Sequence, residues 1–178
     1  MFEIHRHRGV GPIVFGMHRK NVAGAMGEAP ERGTRGVHDT WGYDYFPAIA
    51  CFVYYGADPS KTKAGDECVV AVELASPARV SFEGFDLFAH PASDACEWAR
   101  KLDPTLECAD GFISRFLGLS MYAPLIDESD LNEDEARRPG ESFMVFKPGY
   151  YEEELARAST TPEPLHQLPP RAGSKAEQ

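Results

Sequence analysis

The stretch Gly9–Pro30, GVGPIVFGMHRKNVAGAMGEAP, predicts a turn, a short helix and an abrupt helix end. Val22 and Met26 are four residues apart, so both side chains lie on one helix face. Gly27 follows at the position where a left-handed residue commonly ends a helix, and the proline that closes the stretch cannot continue one. We therefore expect the first helix from Met17 to Met26.

A second helix is predicted to end at Asp103, because the residue before a proline avoids the helical region. Ser93 or Asp94 can cap its first turn. The apolar residues of this segment repeat at helical spacing and form one stripe, which comprises Ala95, Trp98, Ala99 and Leu102. Such a stripe is typical of a helix that packs on a hydrophobic core.

The elements after the two predicted helices occur in the same order. Each half has modest strands, a strand that ends in tyrosine, a charged loop and an apolar strand. The last two strands are Ile49–Tyr55 and Cys68–Leu74 in the first half, and Leu119–Tyr122 and Ser142–Phe146 in the second. A period of about seventy residues is too long for a solenoid and fits a duplicated domain. The alternative is that any α+β chain can be divided into two similar halves.

We predict an α+β fold with two helix-plus-antiparallel-sheet units in tandem and a disordered C-terminal tail. The first unit covers residues 1–90 and the second covers 91–158. The tail covers 159–178, where prolines are frequent and apolar residues are few. Two such units joined edge to edge would present a broad sheet face to solvent, and this face would suit the binding of another protein.

The chain is strongly acidic, with a formal net charge of −10 and a pI of about 5.0. An anionic surface repels nucleic-acid phosphates and anionic lipids, so we expect neither nucleic acid nor a membrane as a partner. The same surface attracts a basic protein and speeds the encounter with it. Acidity that serves only solubility is the alternative interpretation.

The first residues, MFEIHRHRGV, carry charges at once and do not form a secretory signal. No run is long and apolar enough to predict a membrane-spanning helix. The four cysteines form no C-x-x-C pair and are Cys51, Cys68, Cys96 and Cys108. The predicted location is the cytoplasm, where cysteines stay reduced and commonly pack in the interior.

The sequence contains no recognisable catalytic motif. A G-x-S-x-G turn is absent, and the glycines of GVGPIVFG lack the lysine that a phosphate-binding loop needs. His5 and His7 could bind a metal with His18 or Asp39, but their spacing is more typical of a solvated edge strand. We predict a protein that is not an enzyme and has no cofactor or metal. The alternative is a small hydrolase or ligand-binding domain with a pocket between the two units.

The strongest electrostatic feature is a connector between the predicted strands that end at Tyr122 and begin at Ser142. It holds six acids within nine residues: Asp127, Glu128, Asp130, Glu133, Asp134 and Glu135. Such a run projects into water, either as a plain solvated loop or as an arm that meets a cationic patch on a partner. Tyr54 and Tyr122 are the predicted aromatic anchors of the same partner-binding surface.

The start of the first helix resembles a motif of small bacterial proteins, written loosely as G-x-I-x-F-G-M, a charged stretch, then V and a leucine or methionine before G-x-x-P. The matching positions are Gly11, Ile13, Phe15, Gly16, Met17, Val22, Met26, Gly27 and Pro30. A shorter version is similar to the helix–sheet unit of beta-lactamase inhibitory protein, where the unit occurs in tandem. Several proteins of this kind are bacterial immunity proteins. The resemblance implies a cytosolic protein that neutralises a toxin domain by occluding its active site.

Overall fold

The computed structural model describes residues 1–35, 41–57, 67–108, 111–123 and 138–152. The acidic connector and the segment 159–178, which was expected to be disordered, lie outside these residues. In the described part, two α-helices and one short 3₁₀ helix (Pro47–Ile49) accompany two β-sheets. The predicted α+β fold class is therefore confirmed.

The larger sheet has seven strands, and neighbouring strands are antiparallel throughout. The strands are β4 (Glu31–Gly33), β5 (Tyr43–Phe46), β6 (Cys51–Ala57), β7 (Glu67–Ala75), β10 (Gly111–Ser114), β11 (Leu119–Tyr122) and β12 (Ser142–Phe146). Their spatial order is β10-β11-β12-β7-β6-β5-β4. The apolar strand β7 is therefore the central strand of this sheet, with three strands on each side.

The smaller sheet has five short strands and forms a separate layer. The strands are β1 (Phe2–His5), β2 (Gly9–Val10), β3 (Ile13–Val14), β8 (Val80–Phe82) and β9 (Phe85–Asp86). Their order is β3-β2-β1-β8-β9, and β1 and β8 are the parallel pair. Ile4 and Val80 of this sheet belong to the same hydrophobic cluster as Val72 of the larger sheet. The two sheets therefore bury their apolar sides against each other.

The first helix, α1 (Arg19–Met26), begins later than expected. The backbone of Gly16 and Met17 pairs with β7 instead, because Gly16 N donates to Val69 O and Val69 N donates to Met17 O, each at 2.9 Å. The predicted helix end is confirmed, since Gly27 is left-handed with φ of 76°. The chain thus leaves the larger sheet and enters α1 without an intervening loop.

The second helix, α2 (Ala92–Leu102), begins earlier than the sequence predicts. Pro91 precedes its first residue, and the backbone N–H at the start donates to Arg138 O at 2.9 Å. Ser93 and Asp94 lie inside the first turn, so the expectation that one of them caps the helix is wrong. The cap is supplied from the segment before β12, which the sequence alone could not pair with this helix.

The predicted apolar stripe of α2 faces the core. Ala95 and Ala99 are fully buried, and the Trp98 ring stacks on Phe85 with 4.7 Å between centroids. The small alanines let the helix backbone lie close to the sheet, while the tryptophan fills the space beside the smaller sheet. This helix therefore seals one side of the interior.

Asp103 joins the end of α2 to the turn between β10 and β11. Its backbone N–H donates to Ala99 O at 2.8 Å. Its carboxylate accepts hydrogen bonds from Ser114 Oγ and Thr105 Oγ1, each at 2.6 Å. These bonds favour the charged form and hold the pKa of Asp103 below its ordinary value.

A single hydrophobic cluster includes residues from both predicted units. β7 pairs with β12 over five register positions, from Ala71 opposite Phe146 to Ala75 opposite Ser142. Leu74 of β7 lies opposite Phe143 of β12, and both are buried in the main cluster. The segments 1–90 and 91–158 therefore share one sheet and one core, and the expected boundary falls just before α2.

We predict that Leu74→Ala lowers the free energy of unfolding by about 2–5 kcal/mol, because it leaves a cavity at the β7–β12 pairing. Far-ultraviolet circular dichroism and tryptophan fluorescence should report one shared transition at lower denaturant concentration. Ile113→Ala is the control, since Ile113 is 55% exposed and its loss should cost about 1 kcal/mol or less. Two separate transitions, of which only one shifts, would show that the halves unfold independently.

Candidate functional site

The larger sheet has one face against the core and one face away from it. Side chains alternate along each strand, so Val53 and Val72 lie in the main cluster while Tyr54 and Ala71 lie in a separate one. We name this second side the open face. Its described side chains include those of Tyr43, Tyr45, Phe52, Tyr54, Glu73, Ile113, Ser120, Tyr122, Met144 and Phe146.

Four aromatic rings cover the part of the open face formed by β5 and β6. Tyr45 stacks on Phe52 with 4.4 Å between centroids, and Tyr43 meets Phe52 edge-on at 5.5 Å. Tyr43 also meets Tyr54 edge-on at 6.1 Å. We call these four residues the aromatic ladder. Stacked and edge-on contacts are the favourable geometries for aromatic rings, so the four side chains hold one another in place.

Arg35 and Tyr150 fix the end of the aromatic ladder next to Tyr54. The guanidinium carbon of Arg35 lies 4.5 Å from the centre of the Tyr54 ring, and its Nη1 donates to Tyr150 Oη at 3.1 Å. Tyr150 itself is buried beside Phe146. As a result Tyr54 is only 6% exposed, although it lies on the open face.

Glu73 is the charged residue at the centre of the open face. Its register neighbours are Phe52 on β6 and Met144 on β12, both apolar. The Tyr54 hydroxyl donates to Glu73 Oε2 at 2.6 Å. Burial is the main cause that raises the pKa of Tyr54 above its ordinary value, and the hydrogen bond and charge of Glu73 raise it further.

A depression of about 630 Å³ lies beside Glu73, on the other side from the aromatic ladder. It spans the pairing of β7 with β12 and extends over β11 and β10. Its described lining comprises Glu73, Glu107, Cys108, Gly111, Phe112, Ile113, Ser120, Met121, Tyr122, Ser142, Met144 and Tyr151. Ile113 and Tyr122 are both 55% exposed. Large apolar side chains left in water in one region mark a site of interaction.

The two tyrosines proposed as anchors lie on the same face but differ in accessibility. Tyr122 is exposed and lines the depression, whereas Tyr54 is buried by the contacts that hold it. Tyr122 is therefore accessible from solvent, whereas the Tyr54 hydroxyl is held by its hydrogen bond to Glu73. All six proposed acids, in 127–135, lie outside the described residues. The strands that flank their connector end at Tyr122 and begin at Ser142, which both line the depression.

Sequence reasoning missed Glu73, although a signal for it exists. The segment Cys68–Leu74 reads CVVAVEL, and its single charged residue interrupts an apolar run. In a strand that packs on only one side, such a residue marks the face that is not in the core. The contribution of Met144 and Tyr151 could not be found this way, because it depends on the pairing of distant strands.

The core face carries a buried polar network around Asp44. Arg19 Nη2 lies 2.6 Å from Asp44 Oδ1, and its Nη1 lies 3.2 Å from Glu67 Oε2. The Tyr55 hydroxyl donates to Asp44 Oδ2 at 2.8 Å, so Tyr55, unlike Tyr54, points into the core. Removal of one partner from a buried ion pair is costly, so this network fastens α1 to the sheet. It lies on the opposite side of the sheet from the open face.

Three of the four cysteines have the surroundings of core residues, and Cys108 is partly exposed. Cys51, Cys68 and Cys96 are buried. Burial raises the pKa of Cys51 to about 12 and that of Cys96 to about 12, so neither thiol is ionised near neutral pH. Cys68 Sγ lies 3.7 Å from His18 Nδ1. Within the five described ranges, three or more His, Cys, Asp or Glu side chains do not converge into a possible metal site.

We predict that Tyr54 and Tyr55 stay protonated in the native protein at a pH where exposed tyrosines ionise, near 10. Burial raises the pKa of both, and the carboxylates of Glu73 and Asp44 raise it further. In an ultraviolet difference titration, Glu73→Gln should bring the ionisation of Tyr54 to lower pH, and Tyr54→Phe identifies its signal. Glu3→Gln, on β1, is the control. Ionisation of Tyr54 together with exposed tyrosines in the unaltered protein would contradict this account.

The comparisons with known proteins found no match from which a role could be carried over. Among the described residues, no helix has the length and apolar character needed to cross a membrane. The chain matches no protein-family model, no curated protein and no solved structure.

Proposed function

We propose that this chain is a cytoplasmic immunity protein that binds a basic toxin domain through the open face and occludes its active site. The observation that supports this proposal best is a sheet face rich in aromatic side chains, with Met144 among them, on the side away from the core in which both helices and the smaller sheet are packed. Tyrosine and methionine are enriched at the centres of protein interfaces, where they anchor a partner.

The dimensions of the open face support a protein partner. Seven strands with a spacing of about 4.8 Å span roughly 29 Å. A standard interface buries about 800 Å² on each partner, which corresponds to a round patch of similar width. A small metabolite would cover only a fraction of such a surface.

The charge of the chain supports a basic partner. The formal net charge is −10, and the six acids of the connector are attached to the two strands that border the depression. A toxin that acts on nucleic acid must present cationic side chains at its active site, because it binds phosphate. An acidic face that covers those side chains would block substrate access, and the opposite charges would speed the encounter.

A small-ligand-binding site is the second candidate, favoured by the volume of the depression. About 630 Å³ is within the range of ligand pockets, and the depression crosses from β7 to β12, between the two predicted units. Its described lining contains Cys108 but no histidine that could activate it. This composition favours binding over hydrolysis within the second candidate.

We predict that Tyr122→Ala weakens binding to the partner at least tenfold, since an exposed tyrosine at an interface commonly contributes more than about 1 kcal/mol. The partner to test is a basic effector domain encoded by a neighbouring gene, where the source genome holds one, and binding is measured by surface plasmon resonance and by rescue of growth on co-expression. Phe116→Ala is the matched control, because Phe116 is 57% exposed but lies in the β10–β11 turn against Arg6. An equal loss of affinity in both variants, or no binding by the unaltered chain, would contradict the proposal that the open face is the binding surface.

For the acidic connector we predict an effect on the rate of association with the partner. Replacement of its six acids by Asn and Gln, at 127–135, should slow association about tenfold or more at low salt and change dissociation little, because long-range attraction acts mainly on the encounter. Stopped-flow measurements at low and high salt check this. An unchanged association rate would remove the connector from the proposed interface.

A further inference from the structure

Glu73 occupies a position that folding alone does not explain. It lies on the central strand β7, with the apolar Phe52 and Met144 on either side. A partly buried carboxylate surrounded by apolar side chains loses hydration, so it costs stability unless a partner compensates. An apolar or β-branched residue would fit this strand position better.

The described residues satisfy only part of the hydrogen-bonding capacity of the Glu73 carboxylate. Oε2 accepts a hydrogen bond from the Tyr54 hydroxyl at 2.6 Å. Among the described residues, Glu73 takes part in no ion pair within 4.0 Å. Arg35 is close to the same tyrosine but is engaged with the Tyr54 ring and with the Tyr150 hydroxyl. Glu73 Oε1 is therefore available to a cation that comes from outside the described part of the chain.

The depression beside Glu73 has the shape and chemistry for a long cationic side chain. Its lining includes the flexible side chain of Met144 and the rings of Tyr122 and Tyr151, whereas the Met121 side chain belongs to the core on the other side of the sheet. Methionine and aromatic surfaces pack well against an aliphatic stem, and an aromatic face attracts a guanidinium. No described lysine or arginine lines the depression, so an anionic group would find no counter-charge there.

We infer that this depression is the anchor pocket for one arginine side chain of the protein partner, with Glu73 accepting its guanidinium. The inference rests on the proposed function only in assuming a protein partner. An arginine fits better than a lysine, because its planar head can stack on a tyrosine and donate two hydrogen bonds to one carboxylate. The Tyr54 hydroxyl holds the carboxylate in place for this contact.

The net charge of −10 selects a basic partner over a second copy of this acidic chain. Two other sources of a cation are still chemically possible and are outcomes of the test. One is an arginine of the chain's own C-terminal segment, at Arg157 or Arg171. The other is a second copy of the chain.

The probe is Nα-acetyl-arginine methylamide, titrated into the full-length protein with labelled methionine methyl groups. We expect a saturable shift of the Met144 methyl signal, with a dissociation constant on the order of millimolar for so small a ligand. Met1, Met17 and Met26 lie outside the described lining and serve as internal controls. The matched citrulline compound, which has no charge, should bind at least fivefold more weakly.

Glu73→Gln should lower the affinity for the arginine probe at least fivefold, and Glu3→Gln on β1 should leave this affinity unchanged. Equal binding of the citrulline compound, or equal weakening by both variants, would overturn the pocket assignment. The citrulline comparison uses the unaltered chain, so it stands even where Glu73→Gln disturbs folding.

The remaining outcomes separate the sources of the cation. A fivefold gain in probe affinity when Arg157 and Arg171 are replaced by Gln would assign the pocket to the chain's own segment and overturn the partner assignment. A Met144 methyl shift that changes on dilution would show that a second copy of the chain occupies the pocket. This result would also overturn the partner assignment. Specific binding of the arginine probe supports the pocket even where no toxin binds, so failure of the proposed function and failure of this inference are distinguishable.

Discussion

The antiparallel pairing of β7 with β12 is the interaction on which the rest of the structure depends. It joins two short runs of strands into one sheet with β7 at its centre. Either run alone would end in an unpaired apolar strand, which invites association with other chains. The pairing removes both exposed edges at once and brings Leu74 and Phe143 together in the core.

The same pairing creates the site. Glu73 belongs to the first half of the chain, whereas Met144 and Tyr122 belong to the second, and only the β7–β12 contact brings them to one depression. The core face is filled by both helices and the smaller sheet. The other side of the larger sheet is left for contacts with another molecule over β10 to β12, and it carries the aromatic ladder over β5 and β6.

Local signals in the sequence predicted local structure well. The end of α1 follows from Gly27, whose left-handed conformation needs no knowledge of the remainder of the fold. The start of α1 could not be predicted, because Gly16 and Met17 pair with a strand about fifty residues later. The prediction of the α2 cap failed for the same reason, because the capping carbonyl belongs to Arg138, far along the chain.

The site shows the same division between local and long-range information. Alternation within CVVAVEL is enough to place Glu73 on the face away from the core. The difference between Tyr54 and Tyr122 is invisible in the sequence, because it arises from Arg35 and Tyr150, which pack on only one of them. Exposure, and with it the capacity to touch a partner, is set by contacts between segments far apart in the chain.

The aromatic ladder has a thermodynamic consequence for any association through this face. Its four rings are already confined by stacking and edge-on contacts in the isolated protein. Side chains that are free in solution lose about 0.5–1.5 kcal/mol each when a complex immobilises them. The ladder side chains lose much of this conformational entropy when the protein folds. Binding therefore costs less entropy at these positions, and more of the contact energy contributes to affinity.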